Sequence, residues 1–258
     1  MEPLLATEIK NTISPEHLAV IRSLEIFDCI DSTNTYLLQH PEKPSVAICL
    51  AEQQTKGHGQ RGRAWVSPKS GNIYLSLSWP MQKNLSHFTA LSLMTALGVL
   101  HGFNAYGIHA SFQLKWPNDI LYDGRKVVGI LLESVNKQTV VVGIGINVNM
   151  PKQYNASIHK NISDLETITG ETTARNRLVG HVINEVIAML KAYETEGFQP
   201  YLQEWHQHDY LLKKQIHLTS STLDIIGTAQ GINEQGKLLI KDENGKNHAF
   251  SSGSVKTL

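Results

Sequence analysis

Cysteine, net charge and long apolar runs are the three things this sequence has least of. Only Cys29 and Cys49 occur in 258 residues, with no C-x-x-C spacing. That excludes a disulfide scaffold and a cysteine-rich zinc site. Both thiols lie in apolar stretches and are expected to be buried and reduced. Lys and Arg total 23, and so do Asp and Glu, giving a formal net charge of zero. General nucleic-acid binding usually needs a basic excess, so that class is disfavoured. The longest apolar run, VAICLA, is far too short to span a bilayer. The opening MEPLLATEIK has an early acid and no apolar core of signal-peptide length. These features point to a cytoplasmic protein with no membrane partner.

Several catalytic signatures are missing too. No G-x-S-x-G elbow is present, so a serine hydrolase has no support. No G-x-x-x-x-G-K-[ST] loop is present. Gly57, Gly59 and Gly62 give a literal G-x-G-x-x-G, but the following RAWVSPKSGN is not a helix, so the dinucleotide-binding context is absent. Histidine is abundant, at 12 residues. Only HQHD at 206–209 approaches metal-ligand spacing, and it lacks a partner motif; no metal site is expected.

What is present reads as alternating elements. In SPEHLAVIRS, Ser14 suits an N-cap, Pro15 the first helical position and Glu16 the first turn. LEIFDCI alternates like a strand and runs into DSTNTYLLQH, where Ser, Thr and Asn precede an apolar pair as at a helix start. SVAICLAEQQ reads as a buried strand. GNIYLSLSWP has period two, with Ile73, Leu75, Leu77 and Trp79 on one face, and predicts a half-buried strand. HFTALSLMTALGVLHGF is apolar nearly all round and fits a core helix. SFQLKWPNDILYDGRKVVGILLESV suggests a strand, a Pro-Asn-Asp turn, a hairpin through DGRK and another apolar strand. The stretch from 150 to 171 is polar and irregular. Apolar residues at 178, 179, 182, 183, 186, 187 and 190 have clean helical spacing, and PYLQEWHQHD extends that region. From about 211 the chain turns to short strands cut by NEQG and ENGK, as in a small β-barrel of about five strands.

Three stretches carry chemistry. TKGHGQRGRAW, residues 55–65, combines glycines that permit a close approach to the main chain with arginines that suit an anion. A phosphate, a nucleic acid or a plain surface turn remain open; a backbone nest with guanidinium arms fits phosphate or carboxylate. In KWPND, Lys115 ends a buried strand, where a lysine is costly unless it meets an anion or carboxylate. Snorkelling, or pairing with Asp119, is the plainer alternative, and Trp116 reads as packing. In TVVVGIGINVNM, Val140, Val142, Ile144, Ile146 and Val148 share one face. The other is nearly bare at Gly143 and Gly145 and polar at Asn147, consistent with close approach of a ligand or with a bulge.

DSTN, GHGQRGRAWVSP, KWPND and GIGINVN, in that order, closely resemble the biotin protein ligases, from about residue 24 to the C-terminus. The resemblance implies an α+β fold. A mixed β-sheet with helices, of the kind shared with class II aminoacyl-tRNA synthetases, would form a catalytic domain over 1–210. A small SH3-like β-barrel would follow over 211–258. The implied reaction joins biotin and ATP, with Mg²⁺ accompanying the nucleotide, into biotinyl-5′-AMP. Biotin then passes to one lysine of a biotin carboxyl carrier protein, the acetyl-CoA carboxylase subunit.

By the same resemblance, Ser32, Thr33, Asn34 and Gln54 would meet biotin. Gly57, His58, Gly59 and Gln60 would close over it above a floor at Gly143 and Gly145. Arg61, Arg63, Trp65, Asn118 and Asn147 would face the adenylate. Lys115 would bridge the biotin carboxylate and the α-phosphate; Lys115 and Arg63 are the implied catalytic pair.

One departure stands out. The family usually reads Gly-Arg-Gly-Arg-x-Gly-Arg, and this chain has His58 and Gln60 at the first two arginine positions. The adenylate is therefore expected to be held less tightly. Some relatives carry an N-terminal DNA-binding helix-turn-helix domain; none fits ahead of residue 24, so a monofunctional ligase without DNA binding is expected, as a monomer or homodimer. The competing readings are a lipoate ligase or lipoyl transferase, and a non-catalytic biotin-binding sensor.

Overall fold

The computed structural model describes residues 2–40, 45–69, 71–81, 88–136, 138–151, 161–220 and 223–258. Of the stretch expected to be irregular, residues 152–160 lie outside this set.

A seven-stranded sheet organises most of the chain. Its strands are β1 (Ile21–Phe27), β2 (Val46–Ala51), β3 (Ile73–Pro80), β4 (Gln113–Lys115), β5 (Asp119–Tyr122), β6 (Arg125–Asn136) and β7 (Thr139–Ile146), in the spatial order β1-β2-β3-β7-β6-β5-β4. The β1–β2 pair is parallel and every other pair antiparallel, so the sheet is mixed. DGRK makes the expected β5–β6 hairpin, with Asp123 and Gly124 both at positive φ (49° and 69°).

The back face of the sheet is apolar. Leu75, Leu77, Val142, Ile144, Val128 and Ile130 bury there in one core with helices α4 (Phe88–Tyr106) and α6 (Arg175–Glu196). Burying such side chains stabilises the fold by about 1.5–3 kcal/mol each. The front face carries α3 (Thr33–Gln39), capped by Ser32, whose hydroxyl accepts from the Thr35 amide at 3.4 Å. Leu37 of α3 packs with Cys49 and Val141 in a second, small cluster.

Two local expectations are corrected, and one helix was not anticipated. β3 is buried on both faces, not half-buried. It lies inside the sheet between β2 and β7, and α3 covers its Ser76 side. Cys29 is exposed, because it lies just beyond β1, while Cys49 is buried. The polar N-terminal stretch contains α1 (Ala6–Thr12) ahead of the expected α2 (Pro15–Leu18, N-capped by Ser14). α1 forms because Ile9 buries completely against α6, a tertiary contact that a short window does not reveal.

That segment is strapped to the sheet. Arg175, 3% exposed, donates to Glu52 Oε2 at 2.8 Å and Oε1 at 3.1 Å, and to the Glu2 carbonyl at 2.6 Å. The Leu4 amide donates to Glu52 Oε1 at 2.7 Å. A buried arginine held by a bidentate carboxylate and main-chain oxygens has its charge matched, and the pair sits where β2 runs on toward Gln54.

The remaining helices are α5 (Leu165–Thr169, capped by Asp164) and α7 (Leu202–His208). Strands β8 (Gln215–Thr219), β9 (Asp224–Ile232), β10 (Leu238–Asp242), β11 (Asn247–Phe250) and β12 (Ser254–Thr257) then form a separate five-stranded antiparallel sheet, ordered β11-β10-β9-β8-β12. The α+β class expected from the sequence is the class observed. The two sheets are pinned together. Trp116 Nε1, fully buried, donates to the Gly236 carbonyl at 3.0 Å, and the Tyr210 amide to the Leu114 carbonyl at 2.9 Å. HQHD belongs to this seam. His208 Nδ1 lies 3.1 Å from the Phe112 carbonyl, and His206 Nε2 3.3 Å from that of Ile232. Among the described residues no helix is long and apolar enough to cross a membrane.

Candidate active site

Strand register builds the floor of the site. Ser76, Gly143 and Leu131 lie side by side across β3, β7 and β6; Tyr74, Gly145 and Gly129 form the next row, and Ser78, Val141 and Glu133 the row on the other side. Directly paired antiparallel residues point to the same face, and this face looks toward α3 and the loop of residues 55–65. A cavity of about 330 Å³ opens above it, within the usual range for small-molecule sites.

One end of the cavity is a hydroxyl and amide network. The Gln54 Oε1 atom accepts from the Thr33 amide at 2.9 Å and from its hydroxyl at 3.2 Å, and Gln54 Nε2 donates to Ser67 Oγ at 2.9 Å. The Ser76 hydroxyl lies 2.7 Å from Thr33 Oγ1 and 2.6 Å from Asn34 Oδ1. Ser32, Thr33 and Asn34 are all buried. The reason is local: the Ser32 cap starts α3 at the cavity edge, so the first turn presents these side chains to the floor.

Gly143 and Gly145 make space for protein rather than leaving a bare floor. A Cβ at Gly143 would lie 2.9 Å from Asn34 Cγ, and one at Gly145 2.5 Å from Trp65 Cε2. Asn34 and Trp65 thus occupy the volume expected to lie beneath a ligand, although both glycines still line the cavity.

The other end is cationic. Lys115, half-buried, lines the cavity, and its ammonium group forms no hydrogen bond or ion pair among the described residues. Asp119, directly opposite it in the β4–β5 register, is bound by Lys126 Nζ at 2.6 Å. Pairing of Lys115 with Asp119 is therefore not what occurs. Lys126 also stands 5.1 Å from the Trp65 ring centre, a cation–π distance. Asn118 and Asn147 line the wall with their amide nitrogens engaged. Asn118 Nδ2 donates to the Ile130 carbonyl at 2.6 Å, and Asn147 Nδ2 to those of Ser163 (3.2 Å) and Lys126 (3.3 Å). Asn147 thus has only its side-chain oxygen left for a ligand, whereas Asn118 keeps its oxygen and one N–H.

The glycine loop forms the roof. Its base is closed by the Trp65 amide on the Gly57 carbonyl (2.9 Å) and the Gly59 amide on the Arg63 carbonyl (2.7 Å). Arg61 and Gly62 take successive left-handed conformations, φ 61° and 71°, which turn the tip. His58, Gly59, Gln60, Arg61, Arg63 and Trp65 line the cavity. Gly57 does not. A side chain there would strike the Trp65 carbonyl at 2.5 Å and Ser67 Oγ at 2.6 Å, so Gly57 is needed to close the loop base. Arg63 donates to Ser254 Oγ at 3.1 Å, and Gly253, Ser254 and Val255 add a rim from the second sheet.

Every other residue expected from the sequence lines this one cavity. Ser76, Lys126, Glu133 and the 253–255 rim were missed. Ser76 carried a signal, as a small polar residue on the second face of β3. Lys126 and Glu133 look like ordinary charged residues until register aligns them with Gly129 and Leu131.

Two family models match the chain. Residues 26–149 match the biotin/lipoate A/B protein ligase family, and residues 212–256 the biotin protein ligase C-terminal domain. The chain is 34% identical over 226 residues to a bifunctional ligase/repressor of Escherichia coli, covering 86% of this chain and 70% of that protein. It is 32% identical over 237 residues to a biotin–[acetyl-CoA-carboxylase] ligase of Paracoccus denitrificans, covering 84% and 93%. Among solved structures it is similar to the biotin protein ligase from Aquifex aeolicus in complex with biotin and ATP, with TM-score 0.80 and 28% identity, over 92% of this chain and all of that one.

Proposed function

Because the chain belongs to the biotin protein ligase family, we infer that it activates biotin with ATP and transfers it, through biotinyl-5′-AMP, to a lysine of a biotin carboxyl carrier protein. A match to the biotin protein ligase C-terminal domain favours biotin over lipoate. In this reading residues 1–210 carry the catalysis, and 211–258 supply the rim.

The observation that carries the residue assignment is the unpaired Lys115 at one end of a cavity whose other end is a buried amide and hydroxyl network. The uncharged biotin ring suits the network of Ser32, Thr33, Asn34, Gln54 and Ser76, which places the carboxylate toward Lys115. Attack of a carboxylate oxygen on the α-phosphorus brings two anions together. A fixed ammonium between them lowers that barrier without reorganising during the reaction. The P–O bond to the β-phosphate breaks, and pyrophosphate leaves with Mg²⁺, which enters as part of the nucleotide substrate. The amine of the carrier lysine then attacks the acyl carbon, and AMP departs with the C–O electron pair.

Arg61 and Arg63 stand where they can face phosphate oxygens, and Trp65 offers an aromatic wall beside the nucleotide. The loop of residues 57–65 shields the mixed anhydride from water. No DNA contact is part of this reading, consistent with zero formal net charge.

The test is direct. Purified protein, biotin, Mg²⁺-ATP and a carrier domain are combined and transfer is read with streptavidin, alongside the same assay with lipoate. Biotin-dependent labelling that Lys115→Ala abolishes is the expected result. Labelling by lipoate alone, or biotin binding without transfer, would overturn it.

A further inference from the structure

Glu133 touches no part of the 330 Å³ cavity, yet it joins the two features that define it. It lies on β6 opposite Val141, along the same face as Gly129 and Leu131. It lines the adjoining groove, which shares His58, Gly59, Gln60, Arg61, Pro117 and Leu131 with the cavity. Its Oε2 atom accepts from Asn34 Nδ2 at 2.8 Å, and the same oxygen stands 3.2 Å from His58 Nε2.

Both contacts have consequences. Asn34 is 4% exposed and packs in the space above Gly143. Its amide could sit either way round in that slot. An ionised carboxylate only accepts, so Glu133 fixes the nitrogen on its own side and leaves Oδ1 for the Ser76 hydroxyl. His58 belongs to the roof. Among the described residues, its bond to Glu133 is the one side-chain hydrogen bond from 57–62 to the sheet. A glycine-rich segment closes at an entropic cost, and one tether to a charged acceptor offsets part of it.

We propose that Glu133 is a positioning residue that couples closure of the glycine loop, through His58, to the orientation of Asn34 at the biotin end of the site. The proposal rests on the ligase reading. Glu133 touches neither substrate. It makes the ordering of the biotin end and the tethering of the roof depend on one oxygen atom, so biotin affinity and retention of the adenylate rise or fall together. A glutamate serving only fold stability would alter neither in protein that remains folded.

The experiment compares wild type, Glu133→Ala, Glu133→Gln, His58→Ala and the His58→Ala/Glu133→Ala double variant. It reads KM for biotin and kcat in pyrophosphate exchange, the release rate of biotinyl-adenylate, and thermal melting. Glu133→Ala is expected to raise biotin KM and adenylate release by about tenfold each, the effect of one charge-assisted bond, with kcat within about threefold. His58→Ala should speed release and raise biotin KM less than Glu133→Ala does, because the Asn34 contact survives. The double variant should release no faster than Glu133→Ala alone. Glu133→Gln keeps an acceptor for Asn34 but not the charge that faces His58, so it should return KM toward wild type while release stays faster than wild type; if the alanine variant does not fold, wild-type release from Glu133→Gln overturns the proposal. Unchanged KM and release in Glu133→Ala would overturn the proposal, as would release effects that simply multiply in the double variant. If wild type itself neither exchanges pyrophosphate nor labels a carrier, the ligase reading fails, and that result is distinct from a normal wild type with an indifferent Glu133.

Discussion

The Asp119 carboxylate faces Lys115 across the β4–β5 hairpin, yet it is Lys126 Nζ, at 2.6 Å, that holds it. The carboxylate opposite Lys115 is thereby engaged elsewhere, and the lysine's charge remains available in the cavity. A lysine already paired with a carboxylate would have to break that pair before helping a second anion.

This arrangement gives the first prediction. Lys115→Ala should lower the rate of adenylate formation by about 10²–10³-fold, the scale of losing one preorganised electrostatic contact. Lys126→Ala should also slow that step, because Asp119 is then free to capture Lys115. Adding Asp119→Asn to Lys126→Ala should recover part of the loss, measured as pyrophosphate-exchange kcat. A double variant no faster than Lys126→Ala would show that Lys126 acts through its own contacts instead.

Gly143→Ala should be damaging out of proportion to one methyl group. The new Cβ would stand 2.9 Å from Asn34 Cγ, and Asn34 cannot retreat, because Ser76 and Glu133 hold both ends of its amide. Overpacking of this kind costs about 1–3 kcal/mol. Denaturant titration should show a lower midpoint, and calorimetry weaker biotin binding. Wild-type values for both would mean that α3 shifts freely over the sheet.

Gln60 lines the cavity without charge, at a position where biotin protein ligases usually carry arginine. Gln60→Arg should therefore slow escape of biotinyl-adenylate, by about tenfold for one added charge-assisted bond to phosphate. Single-turnover formation followed by filtration measures that rate directly. An escape rate matching wild type would place the missing affinity elsewhere in the roof.

The two thiols should differ sharply. Burial pushes the Cys49 thiol up to about 12, with the Glu25 charge adding to the shift. It stays protonated and unreactive at neutral pH. Cys29 is exposed. A thiol reagent should modify Cys29 promptly in native protein and Cys49 only after denaturation. Equal labelling of both in the native state would contradict the burial of β2 beneath α3.

His101 on α4 and Glu204 on α7 predict a pH dependence of stability. Their side chains meet at 2.6 Å, each about a third exposed (31% and 33%). The hydrogen bond from Glu204 raises the imidazole above its ordinary 6.5, against a smaller opposing effect of burial. A raised value means the folded state binds the proton more tightly. The contribution is complete below about pH 6.5 and fades as pH rises through the folded value. Melting temperature should fall between about pH 6 and pH 8 more in wild type than in His101→Gln, and parallel curves would refute the linkage.

The chain's local grammar was enough to write most of its elements. Period-two alternation marked β3, i/i+3/i+4 spacing marked α6, and Ser14, Ser32 and the DGRK turn signalled their own caps and hairpin, because each depends on neighbours within a few residues. Motif order was enough for the family and for 15 of the 33 residues that line the cavity. Tertiary structure decided the rest. Whether β3 would bury one face or both depended on its place between β2 and β7 and on α3 lying over Ser76. Whether Gly143 and Gly145 would receive a ligand or a side chain depended on how far Asn34 and Trp65 reach. Which lysine would take Asp119, and that Glu133 would stand beside both Asn34 and His58, followed from strand register. Register and packing are relations between residues far apart in the chain, and they are set only when the buried faces of the whole sheet are satisfied together.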